Sequence, residues 1–405
     1  MALINNLRGL RLVYPAIPGG ILFPKTLTNF RANFKPYFVS SPHKTIIISA
    51  EISAKPSPAQ QQQQNSFTVS YLINSCGLSP EASISASQKL QLRSRERPDA
   101  VLALLRDYGF SKTQISKLIR KRPRLLLADT QKTLLPKLEF FHSIGVSQSD
   151  LTRTLSSDVT LLTRSLENQI IPSYNFLRSV LLSDEKIVSA LKRTTWIFHE
   201  DYSKSLLPNV GFLSELGVPQ KCIALLLTHF PEAVMQRHEE FCKTVREVKE
   251  MGFDTQKTTF VLAVHVISGK GNKSIRKRCI EAYKSWGWSE DMILAAFRKH
   301  PHCMILSEKK IMRSMDFFVN KMGLPSGMIA ECPVVLFFSM EKRIIPRCSV
   351  IEVLLSKGLI KDIRLSTVLL PAEKCYLERF VMKYKEEVPE LMSVYRGKVD
   401  SRGLM

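Results

Sequence analysis

Three pairs of adjacent cations punctuate the sequence: Arg120 with Lys121, Lys192 with Arg193, and Arg298 with Lys299. Each pair sits at the same point of a recurring pattern. Equivalent positions in a repeat array stack into a ladder, so these pairs could line one face. A ladder of this kind neutralises phosphates and reads no base sequence by itself. The densest basic run is GKGNKSIRKR, Gly269 to Arg278, which contributes Lys273, Arg276, Lys277 and Arg278. Both features have a plainer reading. Cations at the end of a helix satisfy its dipole without any ligand, and a basic run also suits a solvated face. The ladder is incomplete, because Ser157, His229 and Glu331 occupy the slot in other units.

Other chemistry is weaker. SGKGNKS has one residue between its glycines, whereas a nucleotide-binding P-loop needs four. His300, His302 and Cys303 form a tempting metal trio, but near-adjacent residues rarely converge on one ion without further ligands. Trp286 and Trp288 flank a glycine at positions that read as core, with base stacking the minor alternative. Arg93, Arg95 and Arg97 read as solvated. No nucleophile–base set or paired carboxylates can be assembled, so no enzyme and no cofactor are expected.

The elements that must position these cations are visible in the spacing. Gly109, Gly145, Gly217, Gly252, Gly287, Gly323 and Gly358 are 35 or 36 residues apart, save one doubled step of 72. Leu181 fills the missing slot. Prolines follow the same period: Pro123, Pro231 and Pro301 lie fourteen residues beyond a glycine, and Pro136, Pro172 and Pro208 are spaced by 36. Pro333 and Pro346 repeat the thirteen-residue gap after a local deletion. A fixed period of this size signals a solenoid.

One unit can be read physically. Ile115, Leu118 and Ile119 fall on one face of a short helix, which Pro123 ends. Leu125 to Leu127 form an apolar turn. Asp129 or Thr130 can cap a second helix with the stripe Leu134, Leu135, Leu138 and Phe141. Pro136 falls in its early turns, where fewer bonds are lost, and Gly145 supplies the left-handed stop. The unit near FVLAVHVISGKGNKS has lost both prolines and is expected to be irregular.

Composition agrees with a folded basic protein. The 405 residues carry a formal charge of +22. Residues 1–50 contain no acid; seven basic residues and one acidic residue precede residue 67, which leaves +16 on the remainder. An acid-free basic leader followed by PSPAQQQQQNS reads as an organellar transit peptide and flexible linker over residues 1–66; a disordered basic tail is the alternative. Mitochondria are favoured by the spaced arginines, with the chloroplast close behind. Eight scattered cysteines without a Cys-x-x-Cys pair suggest a reducing compartment, and no apolar run is long enough to span a membrane.

The matching segments ALLRDYGFS, RKRPRLL, LLPKLEFFHSIGV, LLPNVGFLSELGV and THFPEAV resemble the mTERF (mitochondrial transcription termination factor) family. The C-terminal LLPAEKCYLERFVMKYKEEVPELMSVYRGKV is similar to the ending of plant members. The resemblance covers roughly residues 67–398, with 399–405 expected as a disordered tail. It implies an all-α, right-handed-type α-solenoid with two helices and a short 3₁₀ turn per unit. It also implies entry into an organelle and binding of double-stranded DNA or organellar RNA. Transcription termination or regulation, intron splicing and ribosome assembly all remain open. So does a helical scaffold that binds other organellar gene-expression proteins. A monomer is expected.

Overall fold

The computed structural model describes residues 58–199, 201–269, 271–401 and 404. These belong to a single compact unit, Ser57–Met405. The expected leader lies outside the described residues. Every regular element among those described is helical, and none is a strand.

The Gly109 unit shows how the sequence folds locally. Ser111 opens the helix Lys112–Lys121: its Oγ accepts from the Gln114 N–H, and its own N–H donates to Gln114 Oε1. This reciprocal pair satisfies two otherwise orphaned donors. Ile115, Leu118 and Ile119 are buried. Arg122 lies at φ −139° and ends the helix, in keeping with the proline that follows it. The 3₁₀ turn Pro123–Leu127 presses Leu125 and Leu126 into the core. Asp129 then accepts from the Lys132 N–H at 2.8 Å, and the chain turns into the second helix, which runs to Ser143. Gly145, at φ 89°, closes the unit, with the Val146 N–H donating to Phe141 O at 3.0 Å. Phe230, His300 and Cys332 share the off-helix angle of Arg122, at φ −141°, −148° and −133°, and Asp158 and Thr194 hold it too, at φ −136° and −148°, with Val159 and Thr195 in place of the proline.

The second prolines are accommodated by a device the sequence does not announce. The residue immediately before each one donates five residues back, not four: Leu135 to Thr130 O, Ile171 to Leu166 O, Leu207 to Tyr202 O and Ile345 to Met340 O. An ordinary α turn would set the carbonyl four residues back against the proline ring. A single wide π turn relieves that clash before the helix continues.

The left-handed turns confirm the period and correct one slot. Positive φ occurs at every expected glycine, and Gly77 and Gly397 extend the series beyond both ends of the sequence reading. The non-glycine residue with positive φ among the described residues is Leu182, not the expected Leu181. Leu181 is the last, buried residue of the helix Ile171–Leu181, whereas Leu182 is 70% exposed. The N-caps Ser111, Ser147 and Ser183 keep strict register. The preceding helix therefore runs further, and the turn is one residue shorter.

First helices stack in succession: Lys112–Lys121 on Gln148–Ser157, Asp184–Arg193 on Gln220–His229, and Glu290–Lys299 on Ser326–Glu331. Second helices pack likewise, as in Leu206–Glu215 against His238–Glu250 and Asn272–Ser285 against Glu308–Met315. One continuous apolar core runs from Tyr71 to Val394. The Gly252 unit is irregular as expected. Its helices Thr258–Ser268 and Asn272–Ser285 have no 3₁₀ turn between them among the described residues, and Asn272 Nδ2 ties off the first by donating to Val266 O at 3.2 Å.

Two boundaries differ from expectation. The helix Pro58–Asn74 begins inside the supposed linker, because glutamine is a fair helix former and the same helix is anchored by buried Thr68, Tyr71 and Leu72. Ser401, within the supposed tail, packs back onto the fold: it is buried and its Oγ donates to Glu352 Oε2 at 3.3 Å.

Candidate nucleic-acid interface

The structure divides the basic ladder in two. Lys121 Nζ donates to Ser157 O at 2.5 Å, and Lys299 Nζ donates to Glu331 O at 3.0 Å. Ser157 and Glu331 each end the first helix of the following unit. Each ammonium thus meets the negative end of its neighbour's helix rather than its own. Arg298 Nε donates to Met251 O at 2.6 Å, and its guanidinium covers Gly252 so closely that a Cβ there would come within 3.0 Å of Nη2. Lys192 pairs with Asp150 at 2.5 Å, and this hydrogen bond holds the Asp150 carboxyl below its ordinary range. Arg120 and Arg193, in contrast, are exposed and make no hydrogen bond or ion pair among the described residues. Arg193 faces the next unit, where burial first and the Arg193 charge second hold His229 below its ordinary pKa.

The second cluster divides the same way. Arg276 is half-buried, its Nη1 reaches Val266 O at 3.5 Å, and desolvation lowers its pKa. Lys277 lies 3.9 Å from Glu281 one turn on. Lys273 and Arg278 are exposed without a hydrogen bond or ion pair among the described residues. Four of the ten expected phosphate contacts therefore have uncommitted charge: Arg120, Arg193, Lys273 and Arg278.

Sequence reasoning missed a set of polar residues directly after the second prolines. Lys137 is buried and Nζ donates to Leu162 O at 2.6 Å; burial lowers its pKa. Asn209 Nδ2 donates to Val234 O and Gln236 O at 2.7 and 2.9 Å. Arg347 Nη1 donates to Val368 O at 3.0 Å and Pro371 O at 2.9 Å, with Arg343 Nε on Leu369 O beside it. Each reaches the end of the short turn or helix in the following unit. The signal was present as LPK, LPN and IPR: a polar residue where the stripe demands core. Ser173, in the matching IPS, is buried without a partner for its Oγ.

The remaining candidates are structural. Trp288 stacks on Tyr283 at 4.4 Å, and Trp286 Nε1 donates to Met312 Sδ. His300 stacks on Phe337 and His265 on Phe230, with His302 edge-on to His265. Desolvation pulls His265 and His300 down to about 4 and His302 to about 3. No group of three metal-binding side chains occurs among the described residues. Trp196, in the 3₁₀ turn after Arg193, is 60% exposed and was not singled out by the sequence.

Stacked helix pairs, left-handed turns at a fixed period and uncommitted cations on the surface define a basic α-helical repeat protein. The mTERF family model matches residues 102–265 and 263–377, more than half of the sequence. The chain belongs to the mTERF family. Over 89 residues it is 33% identical to transcription termination factor MTERF15, mitochondrial, of Arabidopsis thaliana, a match spanning 22% of this chain and 20% of that protein. No helix among the described residues is long and apolar enough to cross a membrane.

Proposed function

We propose that the protein binds nucleic acid inside an organelle and regulates gene expression there. The observation that carries this reading is the uncommitted charge of Arg120, Arg193, Lys273 and Arg278 on a folded region of strongly positive net charge. Phosphates are the natural partners of such side chains. The similarity to the Arabidopsis mitochondrial transcription termination factor supports transcription termination and a mitochondrial address, and the acid-free leader supports import. Double-stranded DNA and structured or single-stranded RNA are the two substrate classes; the chloroplast is the second address. Crosslinking in isolated organelles, followed by sequencing of what is bound, is the test. Recovery of discrete nucleic-acid segments is expected. Recovery of protein crosslinks alone would replace this reading with that of a scaffold.

A further inference from the structure

The last unit carries a basic feature of another geometry. A pocket of about 380 Å³ opens between the loop after Gly358, the helix Leu365–Leu369 and residues 377–384. Arg364, Arg379 and Lys383 line it, with one carboxylate, Asp362. All three cations are exposed, and their side chains make no hydrogen bond or ion pair among the described residues. Two of them rest beside aromatic rings: Arg379 Cζ lies 5.3 Å from the Phe380 centroid, and Lys383 Nζ 5.1 Å from that of Tyr384. The Tyr384 hydroxyl also has no hydrogen-bond partner among the described residues.

These cations converge on one concavity, whereas a strand's phosphodiesters, with one charge each, suit cations spread along a face. Three cations against one carboxylate match a group of about two negative charges, which a phosphate monoester carries near neutral pH. The volume suits a single nucleotide and excludes a duplex. The half-buried Tyr384 ring offers an apolar face for a terminal base. We propose that this pocket takes the phosphorylated end of a nucleic-acid strand. The inference rests on the nucleic-acid reading above and adds end recognition to it. A free mononucleotide presents the same chemistry, so the test must separate the two sources.

The test uses the full chain and single-stranded oligonucleotides of one sequence, carrying a 5′-phosphate, a 3′-phosphate or hydroxyl ends, with AMP as a separate ligand. A phosphorylated end is expected to bind about tenfold tighter than the hydroxyl form, as two or three charge-assisted hydrogen bonds would give. The double variant Arg379→Gln/Lys383→Gln should abolish that advantage and bind the hydroxyl form as before. The control Lys273→Gln/Arg278→Gln should weaken all forms and keep the ratio. Equal affinity for all ends, or an advantage that survives the double variant, would overturn the proposal and leave the nucleic-acid reading standing. Failure of every oligonucleotide, with AMP bound through Arg379 and Lys383, would overturn both and assign the pocket to free nucleotides.

Discussion

At the scale of single residues, the most informative one is Leu182, which holds a left-handed conformation that every equivalent unit gives to glycine. Its side chain is largely exposed, so little burial offsets the strain. Leu182→Gly should therefore stabilise the protein by up to about 1 kcal/mol, the left-handed penalty less the entropy that glycine adds to the unfolded chain. A rise in urea midpoint at unchanged slope is the expected result, and a fall would show that Leu182 makes contacts worth more than its strain. The buried imidazoles make a second prediction. His265, His300 and His302 remain neutral in the fold well below the pKa of about 6.5 that a free histidine shows. The unfolded chain takes up protons that the folded one refuses. Stability is thus fully present above pH 6.5 and falls as pH drops towards 4, by at most about 1.4 kcal/mol per pH unit for each histidine. Replacing His265 and His300 by Phe, which keeps both stacks, should flatten the decline between pH 6.5 and 5, measured by denaturant unfolding at a series of pH values.

At the scale of elements, the chain was legible wherever a backbone conformation demands a residue type. Glycine marks the left-handed turns and a proline follows the opening helices that end at Lys121, His229, Lys299 and Glu331, and both could be counted off the sequence. The Leu182 turn was misplaced by one because spacing reports the helix caps, not the length of the turn between them. The fates of Lys121 and Arg120 could not be separated, since neighbours on one helix share one local sequence. What distinguishes them is a carbonyl 36 residues away, at Ser157, that only one can reach. The residues after the second prolines were overlooked because a lone polar residue in an apolar stripe reads as a lapse in pattern. Asn209 tests their importance. Asn209→Ala leaves the buried carbonyl of Val234 and the partly buried one of Gln236 without their donor, which should cost about 1–3 kcal/mol. Exposed Asn175→Ala, on the helix of the unit before, should be nearly neutral by thermal denaturation.

At the scale of the whole molecule, the committed and uncommitted cations should separate in two measurements. Replacing Arg120, Arg193, Lys273 and Arg278 by Gln should leave the unfolding midpoint almost unchanged. It should flatten the logarithmic salt dependence of binding by up to about 3.6 units on duplex DNA, or about 2.8 on a single strand. Replacing Lys121, Arg298 and Lys299 by Met should do the reverse, lowering stability while leaving the salt slope nearly intact. If both variants move the salt slope equally, the division made by the hydrogen bonds has no bearing on binding. The cross-unit donors also bear on how such a chain can change in length. Lys121 and Asn209 each find their acceptor in the following unit, so the units that carry them are incomplete in isolation. Duplicating one whole period would hand every donor a fresh acceptor in the inserted copy, whereas an insertion of half a period would strand them. The array can therefore lengthen or shorten over evolutionary time only in whole steps, and the regular period is the trace of that arithmetic.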